Sequence, residues 1–356
     1  PVLVRDGAPD GNPWDVSFLR MLDMANDSGS FRTREQLEAG GWHLDGNVFI
    51  RDGARHLPLY EAKMVHHFDH RFGTYAGQTQ AQANLGTLPR PTPEQKNDPG
   101  FTVLPRYWVH EREIEAKLRR RSVSDWLLGW RDICRASDER TLIAGAIPTF
   151  GVGDKFLLMF PHAAVAAGPP GILLQANLSS LALDYLTRQK LAGTSLKYFI
   201  VKQLPVIPPA PYDQPCAWVL GATLAAWVAP RALELSYTAW DMAPMARDLG
   251  HHGPPFRWDE ERRALLRAEL DAAYFHLYGL DREDTEYVLD TFRLVRMRDE
   301  KQHGEYRTKR LILDVYDRMA AAVAGKEPFD TLLNPRPGQG PTHPEHAAPD
   351  TGARLP

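Results

Sequence analysis

The chain is short of cysteine, of long apolar runs and of any bias in charge, and each shortage closes off a class of protein. Two cysteines, Cys134 and Cys216, stand far apart in 356 residues. That is no disulfide framework, and no Cys-x-x-Cys pair offers a zinc site. Two buried free thiols in a reducing compartment is the expectation. The longest nearly apolar run, 216–229, is too short to span a bilayer and stops at Pro230 and Arg231. No signal-peptide pattern stands at the start, so a cytoplasmic protein without a membrane partner is expected. Lys and Arg number 42 against 45 Asp and Glu, a net charge of -3. A polybasic protein is excluded, but a local basic patch is not.

What is present is a chain of ordinary composition, 43% hydrophobic. At roughly 150 residues per domain it has room for about two domains and a real core. Residues 1–75 mix a short apolar run at the start, helical spacing over Val16 to Asp23 and a strand over Gly46 to Arg51. A connector over about 76–105 is rich in Gln, Thr, Asn, Gly and Pro. Strands are expected over Arg140 to Ile147 and Lys155 to Phe160, and a strand feeding a helix over Gly171 to Lys190. The stretch 217–325 reads as helical, with Leu266, Leu270, Ala273 and Leu277 on one helix face and Leu311, Val315, Met319 and Ala322 on another. Gly279 suits a helix C′ position, and Asp281 a helix cap. The expected division is 1–211, a helical 212–330 and a disordered tail, 331–356.

Several catalytic signatures are missing. There is no phosphate-binding Gly-x-x-x-x-Gly-Lys-Ser/Thr loop and no Gly-x-Ser-x-Gly elbow, and Gly151-Val-Gly153 lacks the third glycine of a dinucleotide fingerprint. Asn12-Pro13-Trp14 lacks the second proline of the Asn-Pro-Pro-aromatic tetrad used in amino methylation, and reads as a turn. The densest polar segment is 59–75, with Lys63, His66, His67, His70 and Arg71. On a helix His66 and His70 would share a face as a metal pair, although no third ligand is identifiable. Glu61-Ala-Lys63 matches half of a magnesium-nuclease motif, with Asp45 or Asp52 as the second carboxylate. The cations, histidines and aromatics also suit contact with phosphates and base edges, and a polar structural turn is the plain alternative. Further cations cluster at Lys117 to Arg121 and from Arg293 through Arg298 and Arg307 to Arg310. They read either as a phosphate footprint or as a solvated face. Arg188 to Thr194 sets two cations before a Gly-Thr turn, suited to a phosphate or to an ordinary helix end.

Seven segments occur in a fixed order. They are Leu57-Pro-Leu-Tyr-Glu-Ala-Lys-Met-Val-His-His-Phe-Asp-His-Arg-Phe-Gly-Thr-Tyr75, Leu104-Pro-Arg-Tyr-Trp-Val109 and Trp130-Arg-Asp-Ile-Cys-Arg-Ala-Ser-Asp-Glu-Arg-Thr141, then Gln175-Ala-Asn-Leu-Ser-Ser180 and Gln203-Leu-Pro-Val206. Leu270-Asp-Ala-Ala-Tyr-Phe-His-Leu-Tyr-Gly279 and Gly304-Glu-Tyr-Arg-Thr-Lys-Arg310 close the series. Taken together, the series resembles the C-terminal half of type IIG-like adenine-specific DNA methyltransferases of restriction–modification and DISARM-like phage-defence systems, over nearly all of the chain up to about Pro328. The resemblance implies an α+β fold: a mixed α/β, TaqI-like target-recognition domain followed by a mainly helical domain. It implies double-stranded DNA as partner, contacted by Lys63, His66, His67, His70, Arg71, Arg135, Arg140, Arg188, Lys190, Thr194 and Lys202. It assigns S-adenosylmethionine and methyl transfer to a catalytic half that this sequence does not match, so no cofactor-binding, metal or catalytic residue is expected here. That half is expected elsewhere in a longer chain or on a separate subunit, in keeping with a start at Pro1 rather than Met. A magnesium nuclease using Glu61 and Lys63 and a non-catalytic protein-interaction module are the alternatives.

Overall fold

The computed structural model describes residues 2–119, 121, 124–165, 168–325 and 329–345. Its strands are β1 (Ser17–Leu19), β2 (Phe31–Arg32), β3 (His43–Asp45), β4 (Val48–Arg51), β5 (Ala54–Tyr60), β6 (Trp108–His110), β7 (Trp126–Arg131), β8 (Ala144–Pro148), β9 (Gly151–Val152) and β10 (Phe156–Phe160). Its helices are α1 (Arg34–Ala39), α2 (Gln80–Asn84), α3 (Pro93–Lys96), α4 (Glu111–Leu118), α5 (Pro170–Leu178), α6 (Leu181–Lys190), α7 (Tyr198–Lys202), α8 (Leu224–Ser236), α9 (Ala243–Asp248), α10 (Glu260–Leu277), α11 (Arg282–Asp290), α12 (Arg293–His303) and α13 (Arg307–Val323). The chain is thus of mixed α+β class.

The strands form two sheets. One is antiparallel in the order β1-β10-β7-β8; the other runs β2-β6-β5-β4-β3, with β9 added in parallel to β5. Side chains on a strand alternate between faces. In the four-stranded sheet that alternation feeds two cores. Trp126, Leu128, Trp130, Leu157 and Met159 join the core shared with the helices. Leu127, Ile147, Phe156, Leu158 and Phe160 join Leu57, Leu59 and Val109 of the second sheet. Apolar residues on both faces are what a central layer requires. The fold is therefore three layers deep: sheet, sheet, helices.

Four expectations change. Val16 to Asp23 is not helical: Ser17, Phe18 and Leu19 pair with Phe160, Met159 and Leu158 as β1. Residues 171–190 are two helices, α5 and α6, and contain no strand. Pro170 stands in the first turn of α5, where its fixed φ favours a helix and its missing N–H costs nothing. Ser180 caps α6 by accepting from the Leu183 amide at 3.3 Å. The tail is ordered over 331–345. There Leu333 is buried, the Gly338 amide donates to Glu234 Oε2 at 2.8 Å, and the His343 amide donates to the Pro255 carbonyl at 2.9 Å. The rest of the expected tail, 346–356, lies outside the described residues. The expected break at 211/212 does not divide the core, because one cluster holds Trp14, Trp130 and Leu174 together with Leu266, Tyr274 and Val315.

Other readings match. β4, β8 and β10 fall within or against the expected strands. Gly279 has φ +69 just past α10, and Asp281 accepts from the Asp284 amide at 2.8 Å. Both cysteines are free and buried. Among the described residues no helix is long and apolar enough to cross a membrane.

Candidate nucleic-acid interface

The histidine segment is a tight turn after β5, not a helix. The His66 and Asp69 backbones exchange hydrogen bonds at 2.8 and 3.0 Å, and Phe68 takes the left-handed conformation, φ 54. His66 and His70 therefore do not share a helix face, and the metal-pair arrangement is absent. The turn lies against β8 because Gly145 has no side chain: a Cβ there would stand 2.6 Å from Val65 Cγ1 and 3.0 Å from the His66 carbonyl oxygen. Arg131 donates through Nε to the Val65 carbonyl at 2.8 Å and fixes the start of the turn.

The turn splits its polar residues between two fates. His70 and Arg71 point inward, 2% and 0% exposed. His70 Nε2 donates to Asp241 Oδ1 at 2.8 Å. The Arg71 guanidinium donates to the carbonyls of Lys96, Asp98, Phe101 and Thr238, all within 3.0 Å. It pins the 76–105 connector and the helical layer to the turn. Neither side chain reaches the surface, so the expected DNA contact is corrected for both: they are structural. Asp69 binds Lys96 Nζ at 2.5 Å; burial opposes its charge, but the ammonium prevails and holds the carboxyl near 2.

His66 and His67 face the other way, into a cleft of about 570 Å³ between the turn and helices α10, α12 and α13. His67 is 6% exposed, and neither ring nitrogen has a hydrogen-bond partner. Burial holds it well below the usual histidine range, so it is neutral, and Arg140 and Arg267 add to that shift. Arg140, Arg267, Arg298 and Arg307 line the same cleft with Glu139, Glu260, Glu261, Asp271 and Asp299.

Beside the cleft, two expected segments come together. Ile133 bridges Ser195, and the Cys134 amide donates to the Thr194 carbonyl at 3.2 Å. Asp184, fully buried on α6, receives Arg140 Nε at 2.5 Å and the Thr141 amide at 3.0 Å, with Arg188 Nε 3.5 Å away. Arg188 also donates to the carbonyls of Asp138 and Glu139 at 2.8 and 2.9 Å. Arg140 and Arg188 therefore stiffen the loop pair 133–140 and 188–195. Arg135, Lys190 and Thr194 are exposed on it, and neither Arg135 nor Lys190 has an ion-pair partner among the described residues. Arg298, bonded to Glu139, joins this rim to the cleft.

Lys63 and Lys202 lie apart from this assembly. Lys63 Nζ sits 5.0 Å from the centre of the Tyr75 ring, and Lys202 pairs with Asp6 at 2.9 Å. Glu61, the expected nuclease carboxylate, accepts from the Tyr75 hydroxyl at 2.5 Å. Asp45 and Asp52 are exposed, in β3 and in the turn before β5. Among the described residues no three His, Cys, Asp or Glu side chains gather as a metal site.

Reading the sequence missed Arg267 and Asp271. Their signal was a polar pair four residues apart, beside the apolar stripe of α10 and among alanines. No protein-family model, curated protein or solved structure matches the chain.

Proposed function

We propose that this chain is the DNA-binding specificity region of a site-specific, S-adenosylmethionine-dependent adenine DNA methyltransferase of a restriction–modification or phage-defence system. On this reading it is a TaqI-like recognition domain with helical support, and methyl transfer belongs to a catalytic domain in the same parent chain or on a separate subunit. The observation that carries the reading is the rim. Five of the residues expected at DNA, Arg135, Arg140, Arg188, Lys190 and Thr194, share one braced loop pair beside an arginine-lined cleft. Arg140 and Arg188 are committed to Asp184 and to carbonyls, so they act as braces. Arg135 and Lys190 are the cations left available for phosphates, and binding phosphate releases counterions from the duplex.

The test is binding of the full chain to duplex DNA over a range of salt, for wild type, Arg135→Gln and Lys190→Gln. Each substitution is expected to weaken binding several-fold on every sequence and to lower the log–log salt slope by about one. Slopes indifferent to both, or equal affinity for an unrelated acidic polymer with no preference among duplexes, would overturn the reading.

A further inference from the structure

The charged groups of the cleft are unequally satisfied. All five of its carboxylates are engaged. Glu139 holds Arg298, and Glu261 holds Arg307. Asp299 accepts the Thr308 amide at 2.6 Å, Asp271 the Leu181 amide at 2.7 Å, and Glu260 the Trp258 indole N–H at 2.7 Å. Three of its four arginines are engaged as well: Arg298 and Arg307 by those carboxylates, Arg140 by Asp184 and the Ser179 carbonyl. The fourth, Arg267, has no hydrogen bond or ion pair among the described residues. Glu260 and Asp271 act on it through space only, against Arg298 and Arg140. His67 lines the same cleft as Arg267, and it too is without a partner at either ring nitrogen.

A buried polar group without a partner is costly, as His67 is, and the cost disappears when a ligand supplies the partner; Arg267 is half-buried, with donors open to the cleft rather than sealed from water. Here the unmatched groups are a planar guanidinium, a fork suited to two oxygens of one anion, and a neutral imidazole that can donate to a third. Glu139, Asp299 and Glu261 are offset by Arg298 and Arg307, whereas Glu260 and Asp271 accept only neutral N–H donors, and their charge is what a bound anion has to overcome.

We infer that Arg267 and His67 form a phosphate site inside the cleft. Resting on the reading above, its natural occupant is a backbone phosphate of the duplex that the Arg135–Lys190 rim holds. The same chemistry would also take a free phosphate-bearing ligand, and the experiment separates the two sources.

Two measurements are made on the full chain, wild type and Arg267→Gln, with retained thermal stability as the check on folding. In the first, inorganic phosphate is titrated while the histidine ring resonances are followed by NMR. In the second, duplex DNA binding is measured over a range of salt beside Lys190→Gln. The expected result is a phosphate-dependent shift of the His67 ring in wild type that is absent in Arg267→Gln. It is accompanied by about tenfold weaker DNA binding and a salt slope lower by about one. A phosphate response with DNA binding unchanged by Arg267→Gln keeps the anion site and overturns its assignment to the duplex backbone. No phosphate response, with DNA binding sensitive to Lys190→Gln but not to Arg267→Gln, overturns the inference and leaves the DNA reading standing. No salt-dependent DNA binding by wild type removes the DNA reading; a phosphate response would then assign the site to a free ligand, and no response would sink it too.

Discussion

Arg263 and Arg267 stand one helical turn apart on α10 and have opposite roles. Arg263 is 3% exposed, donates to the Leu235 and Phe68 carbonyls, and lies 3.6 Å from the Trp258 ring centre. It ties α10 to the histidine turn, while Arg267 keeps its donors for the cleft. Composition and spacing cannot tell such residues apart, because the partners come from elsewhere in the chain. The same limit explains why His67 and Arg71, four residues apart in one recognisable segment, end up in a cleft and in a packed interior. Asp271 makes the point testable. Burial raises its carboxyl from the ordinary 3.8 to about 6, against the pull of Arg140 and the Leu181 amide. Between about pH 4 and pH 6 the folded chain therefore holds a proton that the unfolded chain has released. Stability contributed by this group is present below pH 4 and lost as pH rises to 6, about 3 kcal/mol for a shift of this size. Asp271→Asn keeps an acceptor for the Leu181 amide and removes the titration. In urea unfolding, the variant's stability minus that of wild type is expected to climb from pH 4 to pH 6.5 and then level off. A flat difference would mean that Asp271 ionises freely in the fold.

At the scale of elements, the sequence was clearest where one periodicity dominated. The stripes of α10 and α13 follow helical spacing, and β10, Phe-Leu-Leu-Met-Phe, is too apolar for a surface strand. It was least clear where a segment is apolar all round. Ile172, Leu173 and Leu174 of α5 are all fully buried, so no polar face marks the helical period. Over 16–23 apolar residues suit either period, and pairing with β10 makes the choice. The histidine turn depends on a different feature, the bare backbone of Gly145 on β8. Gly145→Ala would drive a methyl group into Val65 and the His66 carbonyl, and the backbone oxygen cannot step aside as a flexible side chain would. A destabilisation of about 1–3 kcal/mol is expected from such overpacking, with the cleft histidines displaced. Urea unfolding measures the first and the His67 ring resonance the second. Wild-type stability with unmoved resonances would show that the turn is not seated on β8 as described.

The molecule as a whole is joined across the point where composition suggested a division. Trp126 Nε1 donates to Asp248 Oδ2 at 2.8 Å, Asn177 Nδ2 to the Tyr278 hydroxyl at 2.9 Å, and Arg71 to the Thr238 carbonyl at 2.9 Å. Each bond crosses residues 211/212, as does the main core. The stretch around that point, with Pro205, Pro208, Pro209 and Pro211, has the local chemistry of a loop. What makes it internal is packing between distant residues, which no local pattern records. The segment 331–345 was misread for the same reason, since its backbone partners are Glu234 and Pro255. The two cysteines offer a direct test, one on each side of the expected break. Cys134 and Cys216 are 4% and 5% exposed, and burial pushes both thiols up, Cys134 to about 12, so neither reacts readily in the folded chain. If the layers unfold as one unit, a thiol reagent followed by peptide mass spectrometry should label both at the same urea midpoint. Labelling of Cys216 at clearly lower urea would show that the helical layer opens on its own. The cleft, walled by the histidine turn on one side and by α10, α12 and α13 on the other, would then be a joint between two separately stable parts.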